Sequence, residues 1–346
     1  MANYSTARWE AFQYKLNELM NKPENKHAPS PTLMLRLRNT DFLIGASEKE
    51  RAIKTKKSDQ DTVYVNILKL QSISTGSARA AAHTGSKNDS ERTTANFTTY
   101  DADFAFSMKS SQRTIWSQAE QYAQGLLSAA IALHAAIESD MVTALNTNRN
   151  QSVISETPQS CGWDASNFIA QIAGADKERW MQRLKGFMRE QYYNWPVDAI
   201  VDEYLYQEAV HVLSQGGGNA TNYGYQAEGL GLSVSQGLTL PSGYDGVGFA
   251  APVGSLGVLP WIPEMNEQGF GDPGSVGGFY TKIPDPLGSG LEFAVHERYV
   301  AADNENTDGE TQDINVHVEV SVDLAPIDAP MSTSNANPVN KFGLLQ

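Results

Sequence analysis

The clearest periodic signal lies near the C-terminus, where Ile314, Val316, Val318, Val320, Val322 and Leu324 alternate with Asp313, Asn315, His317, Glu319, Ser321 and Asp323. A period of two puts all six apolar side chains on one face, so this segment is expected to be a long, half-buried strand. A second alternation runs over Asn96 to Met108: Ala102, Phe104, Phe106 and Met108 stand against Asp101, Asp103, Ala105, Ser107 and Lys109. Thr62 to Leu70 is also strand-like. The helical period takes over from Gln112 to Leu145, where Ile115, Ala119, Tyr122, Leu126, Ala130, Leu133, Ile137, Met141 and Leu145 recur at near-helical spacing without a proline. At about 1.5 Å per residue such a helix is on the order of 50 Å long. Its weak point is Gly125, and its alanine face (Ala129, Ala130, Ala132, Ala135, Ala136) invites close approach of another element.

Residues 6 to 22 carry Trp9, Phe12, Leu16, Leu19 and Met20 on one stripe of a short helix that stops before Pro23, and Asn25 to Pro31 reads as a linker. A helix set off in this way is either an arm that docks elsewhere or an element that packs back on its own domain. Ser72 to Thr94 is long and polar, with Ile73 its one large apolar residue, and cannot build a core. With the strands on either side it reads as an extended hairpin whose contacts lie on other molecules. Helices are expected over Lys177 to Gln191 and Val197 to Gln215, the second from Val197, Ile200, Val201, Tyr204, Leu205, Val212 and Leu213. Pro196 would sit in its first turn, and Gly216, Gly217 and Gly218 would end it. Asn219 to Ser289 is glycine-rich with scattered aromatics, a composition of short strands and tight turns.

Composition narrows the class. With 40% hydrophobic and 19% charged residues among 346, the chain is too apolar to be disordered. Met1 to Gln13 has no signal-like apolar stretch. The longest nearly apolar run, Leu126 to Ile137, is broken by Ser128 and His134 and is short for a bilayer, so the chain reads as neither secreted nor membrane-spanning. A lone Cys161 forms no internal disulfide. The net charge of −14 is uneven: residues 1 to 113 hold 17 Lys+Arg against 12 Asp+Glu (+5), and the remainder 9 against 28 (−19). An acidic body of this kind argues against tight, direct binding of nucleic acid, which depends on cations releasing counterions from phosphate. The basic third is either solvated or laid on the acidic body of a neighbouring copy.

Catalytic and binding motifs are missing. Gly229-Leu-Gly231 and Gly246-Val-Gly248 lack the third glycine of a dinucleotide fingerprint, and neither a phosphate loop, a G-x-S-x-G elbow nor a zinc motif occurs. His134 and Glu138, four apart on the long helix, could supply two metal ligands, although a helix-surface hydrogen bond is the plainer reading. The polar side of the last strand (Asp313, Asn315, His317, Glu319) reads more simply as a solvated face than as a cation site. Asn304 to Asn315 follows the register of a calcium loop but lacks its first and last carboxylates, and Ala301 to Thr311 reads instead as a β-turn in a hairpin with Asp308-Gly309 at its bend. Asp202 with Glu203 or Glu208 is expected on the solvent side of a helix. No catalytic, cofactor-binding or metal-binding residue is therefore assigned, no cofactor is expected, and the chain is not read as an enzyme.

Taken in order, the elements are an N-terminal arm, a two-stranded loop with a polar tip, a long helix, further helices, a glycine-rich mixed region and a returning strand. That order resembles the major capsid proteins of tailed bacteriophages, a fold shared with encapsulins. Tyr100 to Arg149, with Phe104-Ala-Phe106-Ser-Met108-Lys and Ile137-Glu-Ser-Asp140, looks like the family's strand and spine helix. Pro196 to Thr239, especially Gln215-Gly-Gly-Gly-Asn219-Ala-Thr-Asn222-Tyr-Gly-Tyr-Gln226, looks like the helix and strand entry to its axial (A) domain. The resemblance implies an α+β fold with residues 1–47 as N-terminal arm, 48–100 as E-loop region, 101–195 as peripheral (P) domain with the spine helix, 196–300 as A-domain, and 301–346 as returning strand and C-terminal tail. It further implies self-assembly through hexamers and pentamers into an icosahedral shell that encloses DNA without sequence-specific binding. Separate scaffolding and portal proteins, decoration proteins, a place in the virion after assembly in the bacterial cytoplasm, and no membrane complete that picture. Some members cross-link an E-loop Lys to a neighbouring Asn; Lys87 lies in the corresponding loop, but no residue matches well enough to carry the chemistry over. An encapsulin-like compartment and, more remotely, a β-rich hydrolase are the alternatives, while the long helix argues against a double jelly roll.

Overall fold

The computed structural model describes residues 2–56, 62–68, 90–107, 117–153, 159–193, 196–215, 226–227, 230–271, 278–301, 314–329 and 337–346. In chain order the elements begin with helices α1 (Ala2–Met20), α2 (Pro31–Leu43) and α3 (Ala46–Lys56) and strands β1 (Thr62–Leu68), β2 (Ser90–Asn96) and β3 (Thr98–Ser107). Helix α4 (Gln118–Thr147), strands β4 (Gly162–Asp164) and β5 (Ile169–Ile172), helix α5 (Trp180–Glu190), strand β6 (Val197–Val201) and helix α6 (Glu203–Gln215) follow. The rest comprises β7 (Gln226–Ala227), β8 (Leu230–Val234), β9 (Tyr244–Pro252), β10 (Leu256–Trp261), α7 (Glu264–Gln268), β11 (Phe270–Gly271), β12 (Phe279–Pro284), β13 (Glu292–Ala301), β14 (Ile314–Asp328) and β15 (Asn340–Leu345). The fold is α+β. Contacts divide it into two units, each assembled from three stretches of chain: Met1–Ser30, Phe97–Ile137 and Pro260–Ala325 in the first, Pro31–Asn96, Glu138–Leu259 and Pro326–Gln346 in the second.

The first unit is organised by β14. Its predicted alternation is realised over Val316–Val320, where Val316, Val318 and Val320 are buried and His317 and Glu319 exposed; beyond it Val322 and Leu324 are buried as expected, but Asp323, expected on the polar face, is buried as well. One edge pairs antiparallel with β13 (Val320 opposite Val295) and the other with β3 (Val320 opposite Ala102). Beyond β13 come β12 and β11. Phe104 and Phe106 of β3 meet Tyr122 of α4 edge-on, with ring centroids 5.8 and 6.1 Å away, and Phe12 of α1 stacks on Tyr122 at 4.2 Å. The first helix, whose Trp9 side chain lies outside the described residues, thus packs back on its own unit, and an ion pair of 3.3 Å from Lys15 to Glu120 holds its edge. Gly125 has a packing reason, since a Cβ there would fall on the Phe104 ring. Gly125→Ala is therefore expected to cost about 1–3 kcal/mol through overpacking despite alanine's better helix propensity; a chemical denaturation curve measures it.

Helix α4 opens with a reciprocal cap: the Ser117 N–H and hydroxyl both donate to Glu120 Oε2 at 2.8 Å, and the Glu120 N–H donates back to Ser117 Oγ. Its 30 residues extend about 45 Å. By length and composition it could cross a membrane, but half of its most apolar window is buried inside the protein. The alanine face is split: Ala129 and Ala130 are buried, Ala132, Ala135 and Ala136 exposed. Ile115, at the predicted start, lies outside the described residues.

The second unit holds a seven-stranded mixed sheet in the order β4-β5-β15-β9-β6-β8-β7, with β15 parallel to β5 and β6 parallel to β8. Here the expected helix from Val197 is corrected. Residues 197–201 are a strand buried along its whole length between β8 and β9, and the helix starts only at Glu203. Asp202 is the switch: its Oδ1 accepts the Leu205 N–H (2.9 Å) and its Oδ2 the Val247 N–H (2.8 Å), capping α6 and fastening it to β9. One core joins Trp180, Leu184, Phe187 and Met188 of α5 to Leu205 of α6, Val197 and Val201 of β6, and Phe342 and Leu344 of β15. Trp180 stacks on Phe342 at 5.7 Å. A smaller core gathers Leu35, Leu145, Ile200, Phe249 and Leu256.

The hairpin is also corrected. The partner of β1 is not Asn96 to Met108 but Ser90–Asn96, with Thr62 opposite Asn96 and Leu68 opposite Ser90, while β3 belongs to the sheet of the first unit. The expected turn at Ala301 to Thr311, apart from Ala301 at the end of β13, most of the polar tip including Lys87, and Gly216 to Tyr225 lie outside the described residues.

Candidate functional site

Each chemical candidate has a place in the fold. Cys161 is buried, and desolvation pushes its thiol up to about 12, with Glu190 adding to the effect, so it is a poor nucleophile. Asp202 is raised above the ordinary carboxylate range by burial, against the pull of its two backbone donors, and serves as a helix cap. Glu203 is exposed, and Glu208 pairs with Lys177 at 3.4 Å. His134 and Glu138 are buried, not on the helix surface, and each has separate partners. His134 lies 2.8 Å from Asp285 Oδ2. Glu138 accepts the Thr32 N–H (3.1 Å) and hydroxyl (2.7 Å) and the Ser235 hydroxyl. Asn315, His317 and Glu319 face away from the buried side of β14, and Asp313 lies outside the described residues. Among the described residues no group of three or more His, Cys, Asp or Glu is arranged to hold a metal.

A feature suited to contact is the module made of α3, β1 and β2. A two-stranded sheet alone is marginal in water, and α3 supplies the missing side. Val63, Val65, Ile67 and Ala95 are buried, as is Ala52 of the helix. Arg51 grips Glu48 with two hydrogen bonds of 2.6 and 2.9 Å and donates to the Tyr64 carbonyl at 2.7 Å, while Glu48 accepts the Asn66 N–H at 2.7 Å. The opposite side of the hairpin is bare. Thr62, Tyr64, Asn66, Arg92, Thr94 and Asn96 are all exposed on one face, with the Arg92 guanidinium 3.7 Å over the Tyr64 ring. Sequence reasoning anticipated the polar loop but missed α3, the piece that makes the hairpin a folded object.

This clamp has a pH signature. The Arg51 guanidinium holds the Glu48 carboxyl down at about 2, outweighing the opposing effect of burial with further help from the Asn66 N–H. A carboxyl depressed in the folded state stabilises above its unfolded value and loses that contribution as pH falls through the folded one. The hairpin is thus expected to loosen between about pH 4.5 and about pH 2, read as loss of amide protection in β1 and β2, and Glu48→Gln should weaken protection already at neutral pH.

Other large apolar side chains left in water are Tyr14 (69% exposed), Phe42 (74%), Tyr192 (81%) and Phe270 (60%). Such residues are ordinary singly, but here they are spread over both units.

No protein-family model and no curated protein matches the chain. Among solved structures, it is similar to one of Mycobacterium phage Che8 (10% identity, covering 88% of this chain and 90% of that one, TM-score 0.48). It is also similar to the cyanophage A-1(L) capsid asymmetric unit (12% identity, covering 91% and 93%, TM-score 0.49) and to the capsid of Ralstonia phage GP4 (9% identity, covering 82% and 83%, TM-score 0.45). These likenesses run over most of both chains.

Proposed function

We propose that the chain is a shell subunit, a major capsid protein of the tailed-phage kind, which assembles with copies of itself into an icosahedral particle around a double-stranded DNA genome. The observation that carries this reading is the α3–β1–β2 module: a folded hairpin, braced on one side by its own helix, whose other side is an exposed row of six residues. Such a face is made to lie on another molecule. In this reading residues 1–47 act as the arm, 48–100 as the E-loop region, 101–195 as the P-domain around α4, 196–300 as the A-domain and 301–346 as the returning segment. Many modest contacts of this sort, repeated around a closed particle, sum to a stable shell through symmetry and multivalency. The acidic body leaves the packaged DNA to be neutralised by mobile cations. Scaffolding and portal proteins act as separate partners, the virion is the final location, and no catalytic role is assigned.

The test is size-exclusion chromatography with negative-stain electron microscopy, over a range of concentrations and in crowding salt. Closed shells, or rings the size of pentamers and hexamers, are expected. A variant that places charge on the exposed face, Tyr64→Glu with Thr94→Glu, should keep the fold and lose assembly. A wild-type chain that stays monomeric throughout, or a face variant that assembles normally, would count against the reading.

A further inference from the structure

The first unit contains an apolar recess that its own side chains leave unfilled. Alternation along β3 puts Phe104 and Phe106 on the core side of the sheet, yet both stay only half-buried. The space beside them is a groove of about 590 Å³ bordered by α1, β3 and the first turns of α4. That is within the range of sites for small organic molecules, about 300–1,000 Å³. The two phenylalanines line it together with Leu19 of α1 and Gly125 of α4. Gly125 keeps the helix side of the groove low, since a Cβ there would strike the Phe104 ring.

The charged groups around the groove are unequally matched. Lys15 is saturated: its Nζ lies 2.9 Å from Glu18 Oε2 and 3.3 Å from Glu120 Oε1, and Glu120 is also bonded to the Ser117 N–H and hydroxyl. Lys22 stands just past the end of α1, where its N–H and the Asn25 side-chain amide both donate to the Leu19 carbonyl at 3.1 Å and fix the turn. Half-buried at the edge of the groove, the Lys22 ammonium meets no carboxylate and no hydrogen-bond acceptor among the described residues. A cation partly withdrawn from water beside apolar surface favours an anionic partner.

We infer that this groove binds a small amphiphile, an alkyl chain with one anionic head: the chain lies on Leu19, Phe104 and Phe106, and the head meets Lys22. A neutral apolar ligand would leave Lys22 unmatched, and an inorganic anion would leave the rings wet. A cationic head would face Lys22 with like charge, and the carboxylates of Glu18 and Glu120 do not call for one because Lys15 already lies between them. The groove is a recess of single-molecule size, so its occupant is a free molecule and not a bilayer surface. It lies within one copy of the chain, so the inference does not rest on the shell reading.

Isothermal titration calorimetry of the full chain with octanoate, decanoate and decanol tests it. One decanoate per chain is expected, with octanoate roughly tenfold weaker or more, because each buried methylene changes affinity about fourfold. Lys22→Met should weaken decanoate roughly three- to fivefold, the range of a partly exposed ion pair, and leave decanol unchanged. Gln124→Trp, which places an indole at the rim from an exposed position on α4, should abolish binding of both, with the near-ultraviolet circular dichroism of the wild type retained. A wild type with no saturable binding, or decanoate binding that neither variant alters, would overturn the site. A wild type that binds no decanoate, beside a Gln124→Trp chain with altered sedimentation, would give the groove to a second copy of the chain instead. If one variant fails to fold, the wild-type chain-length series and the other variant decide.

Discussion

Arg36→Ala is expected to cost about 3–5 kcal/mol, the range for removing one partner of a buried ion pair and leaving the other charge behind. The Arg36 side chain is fully buried, and its Nη1 donates to Asp328 Oδ1 at 2.6 Å, to the Gly257 carbonyl at 3.1 Å and to that of Ile327 at 3.4 Å. Truncation would strand the Asp328 carboxylate, left with the Asn148 amide on its other oxygen, and would open a cavity the size of a long side chain. At about 2–4 °C per kcal/mol for a unit of this size, the melting temperature should drop by roughly 6–20 °C in scanning calorimetry. Arg36→Met, with Asp328→Asn in the same chain, should lose much less, because Nε and Nη2 of the arginine meet no protein acceptor among the described residues and a neutral pair avoids their desolvation. If Arg36→Ala melts like wild type, the pair contributes nothing and the second unit does not depend on it.

Deleting Asn340–Gln346 should have a still larger effect. These residues look like a loose tail, yet β15 lies between β5 and β9, hydrogen-bonded on both edges. Phe342 and Leu344 point into the core, Asn340 bonds Asn150 at 2.9 Å, and the Val339 carbonyl accepts the Asn150 N–H at 2.6 Å. Losing Phe342 and Leu344 alone is worth about 3–5 and about 2–5 kcal/mol, which together rival the entire stability of an ordinary domain, about 5–15 kcal/mol. The shortened chain is expected to accumulate as insoluble protein, and Phe342→Ala to stay soluble but weakened. Soluble yield and the near-ultraviolet signal of the stacked Trp180 would show it. A soluble, native-like truncation would mean that β15 is dispensable.

How far the sequence reveals this molecule depends on whether one side of an element is uniformly apolar. The strand around Val318 and the helix around Ile137 each present a long, regular stripe, and both stand where the pattern puts them. Helix α2 escapes because its buried residues are Thr32, Leu33, Leu35, Arg36, Asn39 and Thr40, four of the six polar and bonded to partners remote in the chain. No apolar period announces such a helix. Val197–Val201 was misread because five residues are too few to separate a period of two from one of 3.6 when both faces are buried. The strand β15 is short and contains Gly343, which gives little hint of a central position. Of the candidate sites, the spacing of His134 and Glu138 was legible, but their partners Asp285, Ser30, Thr32 and Ser235 come from three other places in the chain. What those two residues do could be read only once the chain had folded around them.

The division of each unit among three stretches of chain has a consequence for biosynthesis. Proteins usually let early domains fold while later ones are still being made, at about 5–20 residues per second. Here β3 cannot find its place until Ile314–Asp328 has left the ribosome, and the sheet of the second unit lacks an inner strand until Leu345 is added. For the roughly 10–40 s that residues 108–313 take at that rate, β3 has no strand to pair with, although Phe104 and Phe106 already have Tyr122 to pack on. Over that interval the nascent form depends on whatever shields exposed strand edges in the cell.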